Sequence, residues 1–357
     1  MIVMNYDYGT GFGYFWRKLM DGWRHLVLTS GPEPAWLRGD APAGDIVVSS
    51  RARLARNVWG HRFVHRADIP ELKEIEKKVI HAAQESGLAA EVLRQLSPGE
   101  RDYLVNARLV SPDFDAALPH RSLLLDENRS LSLMVNEEDH VRLQFIVAGW
   151  NPKFAHQQAL SAIHNLEKRL EFSKNGALGY LTASPSNCGD GARISAHFHL
   201  IGLAKSGRLA AVFRALRERR VVVRGPFGEK SRPVAGFFQV SMTQRFAQEF
   251  FGAGEFLIQE ERRDRQLIRA EELHELTQRA IRFAVTKLEL SYRDALEVLA
   301  TLRWASSSGL PGYPGDSRAV DRWFVTLESR TELQPVQANR RRADQLREFL
   351  EPFLEKS

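Results

Sequence analysis

The residues best suited to chemistry in this chain are five arginines, Arg51, Arg53, Arg142, Arg193 and Arg224, each within or at the end of a stretch that reads as β-strand. A guanidinium offers a planar fork of donors that grips phosphate or carboxylate through two parallel hydrogen bonds. Five of them converging on one cleft would neutralise a triphosphate. Positioning and charge stabilisation of the γ-phosphoryl group are most of what a phosphoryl-transfer site must supply. Two carboxylates complete the set. Glu138 lies in the acidic turn Asn136-Glu137-Glu138-Asp139-His140, and Glu229 in the loop Arg224-Gly225-Pro226-Phe227-Gly228-Glu229. Carboxylates facing a cationic acceptor could hold it and remove its proton, a step typically worth about 10²–10⁴-fold.

The elements that must position these groups show in the patterning. Asp45 to Val48 runs as an apolar strand into Ser49-Ser50-Arg51-Ala52-Arg53, and the period of two puts Arg51 and Arg53 on one face. Ser130 to Leu133 and Val141 to Phe145 alternate and flank the acidic turn, whose three consecutive carboxylates are expected to raise one another's pKa. Gly179 to Arg193 is a loop rich in Gly, Ser and Asn whose amides can approach a ligand, and it feeds the strand Ile194-Ser195-Ala196-His197-Phe198-His199-Leu200. The GxxxxGK[ST] and GxGxxG signatures of the P-loop and Rossmann folds are absent from the sequence. Helices are expected over 67–97, over 154–172 with Phe154, Leu160, Ile163, Leu166 and Leu170 as the apolar stripe, over 208–219, and almost without interruption over 260–290, with two more to follow. His156 and His164 read as ordinary helix residues, and no metal-ligand spacing stands out. Strands are expected at 221–223 and 236–241.

The chain has 357 residues, 43% hydrophobic and 26% charged, and can bury a large core. Fifty Lys and Arg against 44 Asp and Glu give a net charge of +6, which suits an anionic partner. One cysteine, Cys188, excludes an internal disulfide framework and fits a reducing cytoplasm. No stretch reaches the length of apolar residues needed to span a bilayer. The arginines are separated and lack interleaved surface aromatics, which argues against a nucleic-acid partner. Composition divides the chain into an N-terminal extension, 1–43, a catalytic unit, 44–255, and a helical C-terminal unit, 256–357.

Four segments, SSRARLARN, VNEEDHVR, GYLTASPSNCGDGAR and RGPFGE, resemble in order and spacing the ATP:guanidino phosphotransferases, the group that includes creatine and arginine kinases. Within that group the chain is most similar to the bacterial protein-arginine kinases. The resemblance implies an α+β fold, with a largely antiparallel sheet flanked by helices and an all-α C-terminal domain. It implies ATP contacts from Ser49, Ser50, Arg51, Ala52, Arg53, Arg108, Arg142 and Arg193 to His197 (Ile194, Ser195 and Ala196 between), and from Arg224, Gly225, Pro226, Phe227, Gly228 and Glu229. Glu138 would be the base and Glu229 the second clamp on the acceptor guanidinium. ATP and Mg²⁺ would be the cofactors, arginine-bearing proteins the substrates, Clp-type protease machinery a further partner, and a homodimer the assembly. Three positions depart from the pattern. Ser184 replaces the family's reactive cysteine, Arg108 its LxxxHLxSP histidine, and Ala338-Asn339-Arg340-Arg341-Arg342-Ala343 its RDxxRA motif. Two other readings compete: a kinase of a small guanidino compound, and a catalytically impaired nucleotide-binding adaptor.

Overall fold

The computed structural model describes residues 32–114, 118–225, 234–243, 247–327 and 335–354. The segment 1–31, read as part of an extension, lies outside them. Ten strands are present among the described residues: β1 (Val47–Arg56), β2 (Glu91–Leu93), β3 (Ser122–Leu125), β4 (Leu131–Val135), β5 (Val141–Ala148), β6 (Lys174–Asn175), β7 (Gly179–Tyr180), β8 (Ala192–His199), β9 (Val222–Arg224) and β10 (Phe237–Thr243). Eight of them form one sheet in the order β2-β3-β4-β5-β1-β8-β10-β9, with β6 and β7 as a separate hairpin. All pairings in the large sheet are antiparallel. The sheet places β1, with Arg51 and Arg53, near its middle.

Side-chain parity divides the work of the two faces. The even-numbered residues of β1, Ala52 and Leu54, point with Leu133 and Leu143 into a core closed by helix α1 (Ile69–Glu85) and by the helix Pro152–Glu167. Ile194, Ala196 and Val240 continue that face under two more helices, Leu209–Glu218 and Ala247–Arg265, through Val212, Leu216, Phe250 and Leu257. In chain order after α1 the helices are α2 (Pro98–Asn106), α3 (Pro152–Glu167), α4 (Ile201–Lys205), α5 (Leu209–Glu218), α6 (Ala247–Arg265), α7 (Ala270–Thr286), α8 (Tyr292–Ser307), α9 (Ser317–Thr326) and α10 (Pro335–Leu350). The opposite face is covered only in part. Tyr103 and Leu104 of α2 meet Met134 and Ile146, together with Leu273, Ala300, Trp304 and Val325 from the C-terminal helices. The rest of that face is open, and there the arginines stand.

Several sequence expectations change here. The helix expected over 67–97 stops at Glu85, because Gly87 takes a left-handed turn (φ +66°) and the chain returns as β2 beside β3. The stripe expected on 154–172 is rotated. Phe154 and Leu160 are exposed, while Ala155, Ala159, Ala162, Ile163 and Leu166 face the sheet, since small residues let α3 lie close to β1 and β5. The stretch 260–290 is two helices, α6 and α7. Arg265 at the end of α6 donates to the carbonyl oxygens of His199 and Asp45 at 2.9 and 3.0 Å, which pins that end to the sheet. The C-terminal helices, read as a solvated bundle, have a core of their own built on Ile281, Leu299, Val320, Leu346 and Leu350.

Candidate active site

A cleft of about 450 Å³ opens on the uncovered face of the sheet. Among the described residues seven arginines line it, Arg51, Arg53, Arg108, Arg121, Arg142, Arg193 and Arg224, against three carboxylates, Asp113, Glu137 and Glu138. Strand register is what assembles them. Arg53 lies between Arg193 of β8 and Gln144 of β5, and Arg51 lies beside Ser195. Gln239 stands between His197 and Arg224, and Arg142 is opposite Met134. Each of these pairs keeps its parity, so a slip of one residue in any ladder would turn its arginine into the apolar core.

The guanidinium groups repel one another strongly. Burial, reinforced by Arg108, Arg142 and Arg193, lowers the Arg51 pKa to about 9. Burial followed by the charges of Arg51, Arg142 and Arg193 pushes Arg53 down as well, with Glu137 acting against the shift. A cluster of cations held at that cost is primed for a polyanion. Arg51 donates to Gln239 Oε1 at 3.0 Å and, over a longer 3.4 Å, to Ser195 Oγ. Arg108, in a left-handed conformation (φ +63°), donates to His197 Nε2 at 3.1 Å and rests over the Trp36 ring. Burial, then the Arg108 charge, holds His197 well below the usual imidazole range, so its Nε2 is the acceptor.

The acidic turn does not hold three equivalent carboxylates, as the sequence suggested. Glu137 is buried; it accepts from Arg142 Nη1 at 2.6 Å and from the Glu138 amide at 2.9 Å. Although burial opposes it, the Arg142 charge keeps the Glu137 carboxyl below its ordinary range. Asp139 is also buried, and there burial wins and raises its pKa. Glu138 alone of the three is exposed, on the wall of the cleft. The turn is rigidly seated. Asn136, at φ +54°, donates to the carbonyls of Leu72 and His120, and the His140 ring accepts from the Val58 amide while bonding the Arg62 carbonyl.

The other expected contacts divide by face. Ser49 is buried on the cleft side, whereas the Ser50 hydroxyl donates to the Gly149 carbonyl at 2.7 Å and accepts from the Asn151 amide at 3.0 Å. The side chains of Ala52, Ile194 and Ala196 belong to the apolar cores and leave only backbone for a ligand. Gly225 is buried, and Pro226, Phe227, Gly228 and Glu229 lie outside the described residues. Ser184 and Ser186 line the cleft with their hydroxyl oxygens 2.9 Å apart, and Asn187 accepts from Arg193 at 3.3 Å. The Cys188 thiol turns back to Thr182, 3.5 Å from its hydroxyl, and so does not take the place of Ser184. Arg121, Gln144 and Gln239 are cleft residues that motif reading did not assign. Parity could have found Arg121, which is two residues before Leu123 and shares the face of Met134.

Among the described residues the site is an antiparallel sheet that displays a field of arginines, with the exposed Glu138 on the wall of the same cleft, an arrangement whose charges suit phosphate on one side and a cationic group on the other. The family model described as the ATP:guanido phosphotransferase, C-terminal catalytic domain, matches residues 71–264, and the chain belongs to that ATP-using family. A protein-arginine kinase of Moorella thermoacetica is 31% identical over 340 residues, covering 88% of this chain and 97% of its own length. Those of Pelotomaculum thermopropionicum (37% over 217 residues) and Bacillus cereus (36% over 246) are matched over 60% and 69% of their own lengths. Among solved structures, the duplicated taurocyamine kinase of Schistosoma mansoni, with bound transition state analog components, superposes with a TM-score of 0.53 at 24% identity, covering 65% of this chain and 36% of that one. Lombricine kinase gives 0.53 at 24% identity, covering 65% and 71%. These likenesses establish the guanidino-kinase fold. No helix among the described residues is long and apolar enough to cross a membrane.

Proposed function

We propose that this protein is a protein-arginine kinase, transferring the γ-phosphoryl group of ATP to arginine side chains of proteins. The observation that carries the reading is Glu138, an exposed carboxylate on the wall of a cleft lined by seven arginines. A substrate guanidinium keeps its proton far above neutral pH and is not a nucleophile until it loses it. Glu138 would take that proton as the nitrogen forms its bond to the γ-phosphorus. The bond from γ-phosphorus to the β,γ-bridging oxygen breaks, and ADP leaves with the electron pair. Arg51, Arg53, Arg142, Arg193 and Arg224 would hold the phosphates through the change and meet charge as it moves toward the leaving oxygen. Arg108 would stand beside Arg51 at the same site, and Glu229 would be the second clamp on the acceptor.

Mg²⁺ would neutralise part of the phosphate charge. No cluster of three or more His, Cys, Asp or Glu able to hold a metal occurs among the described residues; Mg²⁺ held mainly by phosphate oxygens and water needs no such cluster. The reading carries with it a cytoplasmic homodimer whose products pass to Clp-type protease machinery, built from a catalytic unit, 44–255, and a helical unit, 256–357.

The neighbouring folds of taurocyamine and lombricine kinases favour a small guanidino compound as the second reading. Incubation with Mg-ATP and either free arginine or a model protein, followed by mass spectrometry under non-acidic conditions, separates the two. Phosphoarginine in the protein is expected, and phosphate found on free arginine alone would refute the assignment.

A further inference from the structure

We infer that Asn57 and Asp139 form a positioning pair that holds Glu138 and the cleft loop 182–188 in register with the arginine strand. The inference rests on the proposed role of Glu138 and concerns how that carboxylate is kept in place. Asn57 follows directly on β1, two turns of the pleat beyond Arg53, and is fully buried. Its side-chain nitrogen donates to Asp139 Oδ1 at 2.6 Å and to the Leu181 carbonyl at 3.1 Å. Its side-chain oxygen accepts from the His140 amide at 3.0 Å. Asp139 Oδ1 accepts a second bond, from the Ala183 amide at 2.7 Å. One buried amide and one buried carboxylate therefore tie together three segments distant in sequence.

Each segment brings something to the cleft. The strand brings Arg51 and Arg53, the turn brings Glu138, and the loop brings Ser184, Ser186 and Asn187. Neither Asn57 nor Asp139 lines the cleft, so neither meets a substrate directly. Glu138 is covalently joined to Asp139, so a shift of the Asp139 carboxylate moves the base. Asp139 Oδ1 must serve both the Asn57 amide group and the Ala183 N–H, and a carboxylate oxygen, with two lone pairs and a charge, accepts the two bonds more strongly than a neutral amide oxygen. A buried carboxylate whose donors here are neutral is costly in stability. Its presence is explained by the geometry it enforces.

The pair can be tested by exchange, scored by kcat, by ATP Kd measured without acceptor, and by thermal midpoint. Asn57→Asp places two acceptors face to face, and Asp139→Asn leaves one neutral amide oxygen to accept from both donors or, turned over, sets its amino group against them. Each is expected to lower kcat about 10-fold to 100-fold with ATP Kd within about threefold, the size of effect that a misplacement near 1 Å produces. In the double exchange, the amide now at position 139 donates to the carboxylate now at position 57 and still accepts from the Ala183 amide. That carboxylate in turn still accepts from the His140 amide. Only the contact with the Leu181 carbonyl is lost. The exchange should therefore recover about tenfold or more of the loss, as coupled neighbours do. Single variants that lower the melting midpoint yet keep kcat within about twofold would overturn the inference. So would a double exchange no more active than the weaker single variant. A wild-type enzyme that phosphorylates neither a protein nor free arginine would instead sink the proposed function, and this inference with it.

Discussion

Replacing Glu138 by glutamine, beside the same change at Glu137, tests the site at its narrowest point. Glutamine keeps the size of glutamate but cannot accept the acceptor's proton. Loss of a general base costs about 10²–10⁴-fold, or roughly 2.7–5.5 kcal/mol of barrier, and Glu138→Gln is expected to lose kcat in that range. Because Glu138 is exposed, its stability should stay within about 0.5 kcal/mol of wild type. ATP affinity should hold or improve slightly, since one negative charge leaves the cleft. Glu137→Gln should behave in the opposite way. Glu137 is buried and 2.6 Å from Arg142, and removing one partner of a buried pair costs about 3–5 kcal/mol. The penalty should shrink when ATP is added, because the nucleotide supplies the missing charge. ADP release and phosphoarginine mass spectrometry measure the first variant, and thermal melting with and without ATP measures the second. Turnover by Glu138→Gln within about tenfold of wild type would refute the base assignment. A Glu137→Gln protein as stable as wild type would refute the division of labour between the two glutamates.

Other outcomes follow from the same geometry. Arg51→Gln should weaken ATP binding while raising the melting point of the nucleotide-free protein, because burial and three neighbouring guanidiniums already work against the Arg51 charge; a lower melting point without nucleotide would contradict this. Acid should destabilise the fold through His140, whose pKa burial lowers from 6.5 to about 4. Above pH 6.5 neither state binds that proton and its contribution is complete. As the pH falls from 6.5 toward 4 only the unfolded chain takes it up, and up to about 3 kcal/mol is lost. Urea unfolding from pH 7 to 4 checks the slope, and a His140→Gln protein with the same slope would remove His140 as its source. Alkylation of Cys188 should leave turnover nearly unchanged, since its thiol faces Thr182; inactivation that tracks modification at that residue would place the thiol in the chemistry after all.

How much of this was legible in the sequence follows the range of the interactions involved. Parity is local, so the period-two spacing alone determined that Arg51 and Arg53 share a face, and the apolar strands around the acidic turn declared the sheet that carries it. Glycine and proline marked the loops, and the family likeness rests on four such local segments. Tertiary structure decided the rest. Register between β1, β5 and β8 brings Arg142 and Arg193 beside Arg53 from about ninety and one hundred and forty residues away in sequence, and no local pattern encodes that alignment. The same packing separated three adjacent carboxylates by burial, seating Glu137 against Arg142 and Asp139 against Asn57 and exposing Glu138 on the cleft wall. It also sent the Ser50 hydroxyl to the β5–α3 junction and turned Phe154 to solvent. A side chain's type and spacing announce the chemistry it can do, while burial and hydrogen-bond partners, which come from distant parts of the chain, determine which copy of that side chain is available to do it.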